Sequence, residues 1–137
     1  MTETKDPNEI FRESLANLPA QVEARPPVIQ RMEVWPYPEL DKLWIRLETS
    51  GFVAFPNLGF TLYDPEGQVV STMFLVEIRN PYQSLTMHLR RPPREGESYR
   101  LEVELTRDDQ ELDARTVMVE LVYHDPAEAR KRQGEQE

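Results

Sequence analysis

Apolar residues recur along this chain with two different periods, and the change between them divides it. From Ile10 to Leu18 the spacing is helical: Ile10, Phe11, Leu15 and Leu18 share one face, with Arg12, Glu13 and Asn17 elsewhere. Asp6-Pro7-Asn8-Glu9 supplies a capping residue, a proline at the first helical position and a Glu three residues after the cap. The pattern predicts a short amphipathic helix that Pro19 ends. About three turns are marginal alone in water, so such a helix needs a surface to lie on. Arg25-Pro26-Pro27 then marks an extended spacer.

From Val28 the period becomes two, and seven strands are predicted. The first runs from Val28 to Trp35, with Val28, Met32 and Val34 on one face. The second, Leu43 to Thr49, sets Leu43, Ile45 and Leu47 against Arg46 and Glu48. Leu58, Phe60 and Leu62 form the third. It turns at Asp64-Pro65-Glu66-Gly67, where Pro presets φ and Gly accepts positive φ, into a fourth from Val69 to Ile78. Leu85, Met87 and Leu89 mark the fifth, between Asn80-Pro81 and Pro92-Pro93. Tyr99, Leu101, Val103 and Leu105 alternate with Arg100, Glu102 and Glu104 in the sixth. After the acidic turn Asp108-Asp109-Gln110-Glu111, the seventh spans Ala114 to Tyr123, with Val117, Val119, Leu121 and Tyr123 in phase.

Short strands with regular turn signals and no interleaved helices predict an all-β, seven-stranded antiparallel sandwich. Its expected organisation is a helix and spacer over residues 1–26, the sandwich over 27–124 and a polar tail over 125–137. Strand parity places the loops at 50–57, 79–83 and 107–113 together at one end. Trp35, Tyr37, Asp64 and Arg90 to Arg94 then fall at the other.

Gly96-Glu97-Ser98-Tyr99-Arg100-Leu101-Glu102-Val103 resembles the start of strand F in immunoglobulin-like and fibronectin type III-like domains. With Asp64-Pro65-Glu66-Gly67-Gln68-Val69-Val70 and the strand count, the resemblance covers residues 28–123 and is one of fold. It implies that the Tyr99 hydroxyl bonds back to the backbone of the preceding loop. The chain departs from both families. Leu101 stands where an immunoglobulin domain has its second Cys. Trp44, where fibronectin type III domains bury a Trp on strand B, is in phase with Arg46 and Glu48. Either a bulge resets that strand or Trp44 faces outward. Such folds host too many functions to transfer one.

Composition removes several function classes. Apolar residues make up 39% and charged residues 30%, as in an ordinary globular protein, and a chain of 137 residues buries roughly 68% of its unfolded surface. No apolar run approaches the roughly 20 residues needed to cross a bilayer, so no membrane span is expected. Met1 to Glu9 lacks the basic and apolar lead-in of a secretory signal, which makes an internal, cytoplasmic location the expectation. A net charge of -9 disfavours nucleic acid as a partner. With no cysteine there is neither a disulfide nor a thiolate site.

The search for chemistry leaves no catalytic candidate, no metal site and no cofactor site. His88 is out of phase with Leu85, Met87 and Leu89 and reads as a solvent-facing strand residue; His124 has no histidine partner at ligand spacing. Asp108, Asp109, Glu111 and Asp113 crowd one turn but lack the pattern of a calcium loop, so a solvated hairpin tip is the better reading. Ser71 and Ser84 have no nucleophile elbow around them, and the five glycines form no phosphate loop. Arg90-Arg91-Pro92-Pro93-Arg94 reads as a stiff connection before it reads as a grip for an acidic surface.

The remaining oddities are hydrophobic. Trp35-Pro36-Tyr37-Pro38 and Gly51-Phe52-Val53-Ala54-Phe55-Pro56 fill loops where polar residues are usual; aromatics there either plug the open core or form a contact surface. Some strands are apolar on both faces: Phe74 and Val76 oppose Met73 and Leu75, Trp44 opposes Leu43 and Ile45, and Met118 and Val122 oppose Val117 and Val119. That doubling implies a second covering layer. The expected function is a non-catalytic interaction or assembly module that contacts another protein or a second copy of itself. Its candidate contact residues are Phe11, Leu15, Trp35, Tyr37, Trp44, Phe52, Phe55 and Phe74. The alternative is a small-ligand or carbohydrate-binding domain with Trp35, Tyr37 or Trp44 as a stacking platform.

Overall fold

The computed structural model of the chain describes residues 25–125. The expected N-terminal helix, with Phe11 and Leu15, and the tail beyond Asp125 lie outside the described residues. Seven strands follow in order: β1 (Ile29–Pro36), β2 (Lys42–Thr49), β3 (Asn57–Tyr63), β4 (Val69–Leu75), β5 (Tyr82–His88), β6 (Ser98–Arg107) and β7 (Gln110–Glu120). They pair antiparallel throughout into a three-stranded sheet, β1-β2-β5, and a four-stranded sheet, β4-β3-β6-β7. The two sheets form a seven-strand antiparallel sandwich, consistent with an immunoglobulin-like fold.

The alternation that marks each strand puts one set of side chains between the sheets. Leu43, Ile45 and Leu47 of β2 share the core with Leu58, Phe60 and Leu62 of β3 and with Tyr99, Leu101, Val103 and Leu105 of β6, none more than 3% exposed. These three strands hold interior positions because their inner residues are apolar without a break. The Asp64 turn closes as expected. Gly67 N–H donates to the Asp64 carbonyl at 2.9 Å with φ 83° at Gly67, and Asp64 Oδ1 accepts from Glu66 N and Gln68 N.

The loops sort to the two ends as parity requires. At one end Ile78 N donates to the Pro56 carbonyl at 2.8 Å, Thr49 N to the Pro81 carbonyl at 2.9 Å and Arg107 to the Ala54 carbonyl at 2.9 Å. At the other, Leu89 N donates to the Asp41 carbonyl at 2.9 Å, and Arg91 Nη1 lies 3.9 Å from Asp64 Oδ2.

Four details differ from the periodicity reading. A pairing irregularity between Ile29 and Arg31 shifts the phase of β1, so that Ile29 enters the core at 2% exposure while Val28 is 42% exposed. β4 ends at Leu75 because Glu77 takes a positive φ of 51°, and Ile78 reaches the core from the connection rather than from the strand. β5 begins at Tyr82, earlier than its apolar residues imply. β7 begins at Gln110, since Asp108 and Asp109, at φ 52° and 62°, make a two-residue turn that matches the twist of the flanking strands.

Candidate functional site

β1, β2 and β5 pair in regular register from Arg31 onward, with Trp35 opposite Trp44 and Trp44 opposite Thr86. With Leu43 and Ile45 facing the core, the same register turns Trp35 and Trp44 to the outer face. No bulge resets β2, so of the two readings of Trp44 the outward one holds. The indole is fixed there. Its Nε1–H donates to Ser84 Oγ at 2.8 Å, and the Arg46 guanidinium lies 5.4 Å from the ring centroid.

Tyr37 joins the two tryptophans because of the turn that follows β1. Tyr37 N donates to the Lys42 carbonyl at 3.0 Å and Leu40 N to the Tyr37 carbonyl at 2.9 Å, with Leu40 at φ 63°. Pro36 and Pro38 stiffen the entry. The ring is thereby returned over the sheet, where its hydroxyl bonds to Thr86 Oγ1 at 2.9 Å and Lys42 Nζ sits 5.6 Å from its centroid. Tyr123 closes the far side. The segment that carries it leaves β7 under restraint, with Gly96 N donating to the Leu121 carbonyl and Leu121 N to the Glu97 carbonyl, both at 2.9 Å. Trp35, Pro36, Tyr37, Pro38, Trp44 and Tyr123 together line an open depression of about 210 Å³.

The same sheet face continues into a charged groove of about 210 Å³, whose lining includes Arg31, Glu33, Arg46, Glu48 and Tyr82. Cross-strand pairing explains its order: Glu33 stands opposite Arg46, and Arg31 opposite Glu48. The face is therefore aromatic at one end and charged at the other. It offers flat apolar rings bordered by hydroxyls, ammonium and guanidinium groups, a combination suited to stacking and directional hydrogen bonding.

The other candidate contact residues lie elsewhere. Phe52 and Phe55 meet edge to face at the opposite end, 6.3 Å between centroids at 89°. Phe52 packs against the core as a plug, while Phe55 is 40% exposed with Arg79 at 4.9 Å from its ring. Phe74 is 61% exposed on the outer face of β4, opposite Gly59. Phe11 and Leu15 are outside the described residues. Of the eight, three converge. Sequence reasoning missed Tyr123, whose phase with Val117 and Val119 assigned it to the core, and Arg46, whose parity with Trp44 was a usable signal.

The arginine-rich connection between β5 and β6 turns inward on its own loop neighbours. Arg91 donates to Gln68 Oε1 at 2.7 Å, Arg94 pairs with both oxygens of Glu66, and its Nε lies 2.6 Å from Glu97 Oε2. The Arg94 hydrogen bonds hold the Glu66 carboxyl below the ordinary glutamate range. His88 is exposed opposite Lys42, and Asp113 is used structurally, its Oδ2 accepting from Ile29 N at 2.7 Å.

No protein-family model matches the chain, and no curated protein matches it. Among solved structures it is similar to the apo β-glucuronidase of Ruminococcus gnavus, at 14% identity and TM-score 0.47 over 69% of this chain and 16% of that one. The same enzyme in complex with uronic deoxynojirimycin gives 16% identity and TM-score 0.48 over the same shares. This chain thus spans 16% of the length of that enzyme.

Proposed function

We propose that this chain is a non-catalytic binding module that engages another protein through the outer face of β1-β2-β5. The observation that carries this reading is the convergence of Trp35, Tyr37, Trp44 and Tyr123 on one solvent-open depression, next to the paired charges of Arg46 and Glu33. Trp, Tyr and Arg supply most of the energy in protein interfaces, and a central aromatic cluster with a charged border is the form such surfaces take. The Tyr99 corner and the three-plus-four division of strands support reading the sandwich as immunoglobulin-like or fibronectin type III-like. Among the described residues no helix is long and apolar enough to cross a membrane.

The test is recovery of partners from native lysate by the full chain, by Trp35→Ser and by Trp44→Ser. Loss of the same partner in both variants, with the unfolding midpoint of Trp35→Ser intact, is the expected result. Equal recovery by all three removes the reading.

A second reading has its own observation. Trp35, Tyr37 and Trp44, the rings expected to form a stacking platform, do line one depression, and Thr86, Ser84 and Lys42 stand beside it with hydrogen-bonding groups. A sugar ring stacked there would stabilise the fold. Soluble glycans that raise the melting temperature of the wild type and not of Trp35→Ser would favour this reading over a protein partner.

A further inference from the structure

Nine large hydrophobic side chains are exposed among the described residues, and six of them belong to one end of the sandwich or to the strand leading to it: Val28, Val53, Phe55, Phe74, Val76 and Tyr82. Hydrogen bonds draw their loops together. Val28 N donates to Ser50 Oγ and Ser50 N to the Val28 carbonyl, both at 2.9 Å, which fixes the chain entry against the loop carrying Val53 and Phe55. Glu77 N donates to Asn57 Oδ1 at 2.8 Å, which sets Val76 beside the same loop, and Thr49 N reaches the Pro81 carbonyl just before Tyr82. Phe74 stands two residues back along β4. Val53, Phe55 and Val76 are thereby exposed on neighbouring loops at this end, and apolar side chains grouped in this way mark a surface that something covers.

Residues 1–24 join the domain at this same end, since Arg25 is the first described residue and Val28 is already hydrogen-bonded to Ser50. They carry an apolar stripe, Ile10, Phe11, Leu15 and Leu18, with no described surface opposite it. The tether is long enough. From Leu18 to Val28 the chain can span at most about 33–36 Å, whereas the four strands of the larger sheet are about 14 Å across at roughly 4.8 Å per gap. A tether this short holds its segment at millimolar effective concentration, which favours the chain's own end over a second copy.

We propose that residues 10–18 form an amphipathic helix that docks in cis over this end of the sandwich, with Phe11 and Leu15 against Phe55 and Val76. The covering layer implied by the doubly apolar β4 is then supplied by the chain itself. The opposite face, with Trp35 and Trp44, remains free for a partner. The proposal is independent of what that partner is.

The chain has no cysteine, so Ala16→Cys, on the far side of the stripe, gives a single attachment point for a nitroxide in the full-length protein. With label and nitrogen-15 in the same molecule, the amide signals of residues 53–55 and 74–82 should be selectively broadened, and adding Phe11→Asp should restore them. In a mixture of isotope-labelled and separately spin-labelled chains the broadening should be absent. Signals at this end that stay sharp in the first sample, or that stay broadened with Phe11→Asp, overturn the proposal. Broadening in the mixture also overturns it, and assigns the surface to a second copy.

Discussion

The backbone N–H of Arg94 donates to the Tyr99 hydroxyl at 3.1 Å, and the Tyr99 ring beneath it is 2% exposed. One hydrogen bond thus ties the β5–β6 connection to the first turn of β6. Tyr99→Phe keeps the ring and removes only the acceptor, so it should cost about 1 kcal/mol, the usual net value of such a bond. Urea unfolding would show a lower midpoint at unchanged slope. An unchanged midpoint would show that the corner contributes nothing.

That corner was legible in the sequence because Tyr99 begins the strand with the cleanest alternation in the chain, directly after Gly96-Glu97-Ser98. β2, β3 and β6 were legible for the same reason: a strand buried on one face repeats its apolar residues every second position. β1 and β7 were less so. At Ile29 a pairing irregularity exchanges which neighbour enters the core, and at Asp108-Asp109 the acidic run concealed a two-residue turn. The aromatic site was half legible. Trp35, Tyr37 and Trp44 stood out as misplaced aromatics, but their meeting depends on the register of β1 against β2. Tyr123 arrives only because the chain leaves β7 at Glu120, and no periodicity encodes that.

Gly59 lies in β3 opposite Phe74, and a Cβ placed on it would meet Phe74 Cδ2 at 3.5 Å, an ordinary van der Waals contact. The exposed ring of Phe74 shields a strand position with no side chain of its own. Glycine here has no need of positive φ and leaves the unfolded chain needlessly free. Gly59→Ala should therefore stabilise the domain by about 0.4–1 kcal/mol, seen as a raised melting temperature. A lower one would show that the ring cannot accept the methyl group.

Glu66 and Arg94 meet at a surface turn, with side chains 55% and 41% exposed. Because the guanidinium lowers the folded-state pKa of Glu66, the pair contributes above the glutamate's unfolded value and is lost as pH falls through the depressed folded one. Glu66→Gln removes that contribution. Between neutral pH and about 3, wild type should lose more stability than the variant, and the difference should shrink in molar salt because the pair is screened. Parallel stability–pH curves at low salt would contradict this.

Trp35 and Trp44 share the aromatic end of the outer face but are held differently, and the difference predicts how substitutions there behave. Trp44 is anchored by Ser84 and covered by Arg46, so its loss disturbs the sheet surface as well as any contact made on it. Trp35 lies on β1, the edge strand, and lines the depression beside Tyr37 and Tyr123. Truncating it should strip the site with less effect on the sheet. If Trp35 anchors the interface, Trp35→Ser should cost at least about 2 kcal/mol of binding, roughly 30-fold in Kd, whether the ligand proves to be a protein or a glycan. Phe74→Ser, on the opposite sheet, should leave Kd unchanged. Calorimetric titration of the recovered ligand against both variants decides the matter. A loss with Phe74→Ser and none with Trp35→Ser would move the binding surface to the four-stranded sheet, and the aromatic depression would then have no part in recognition.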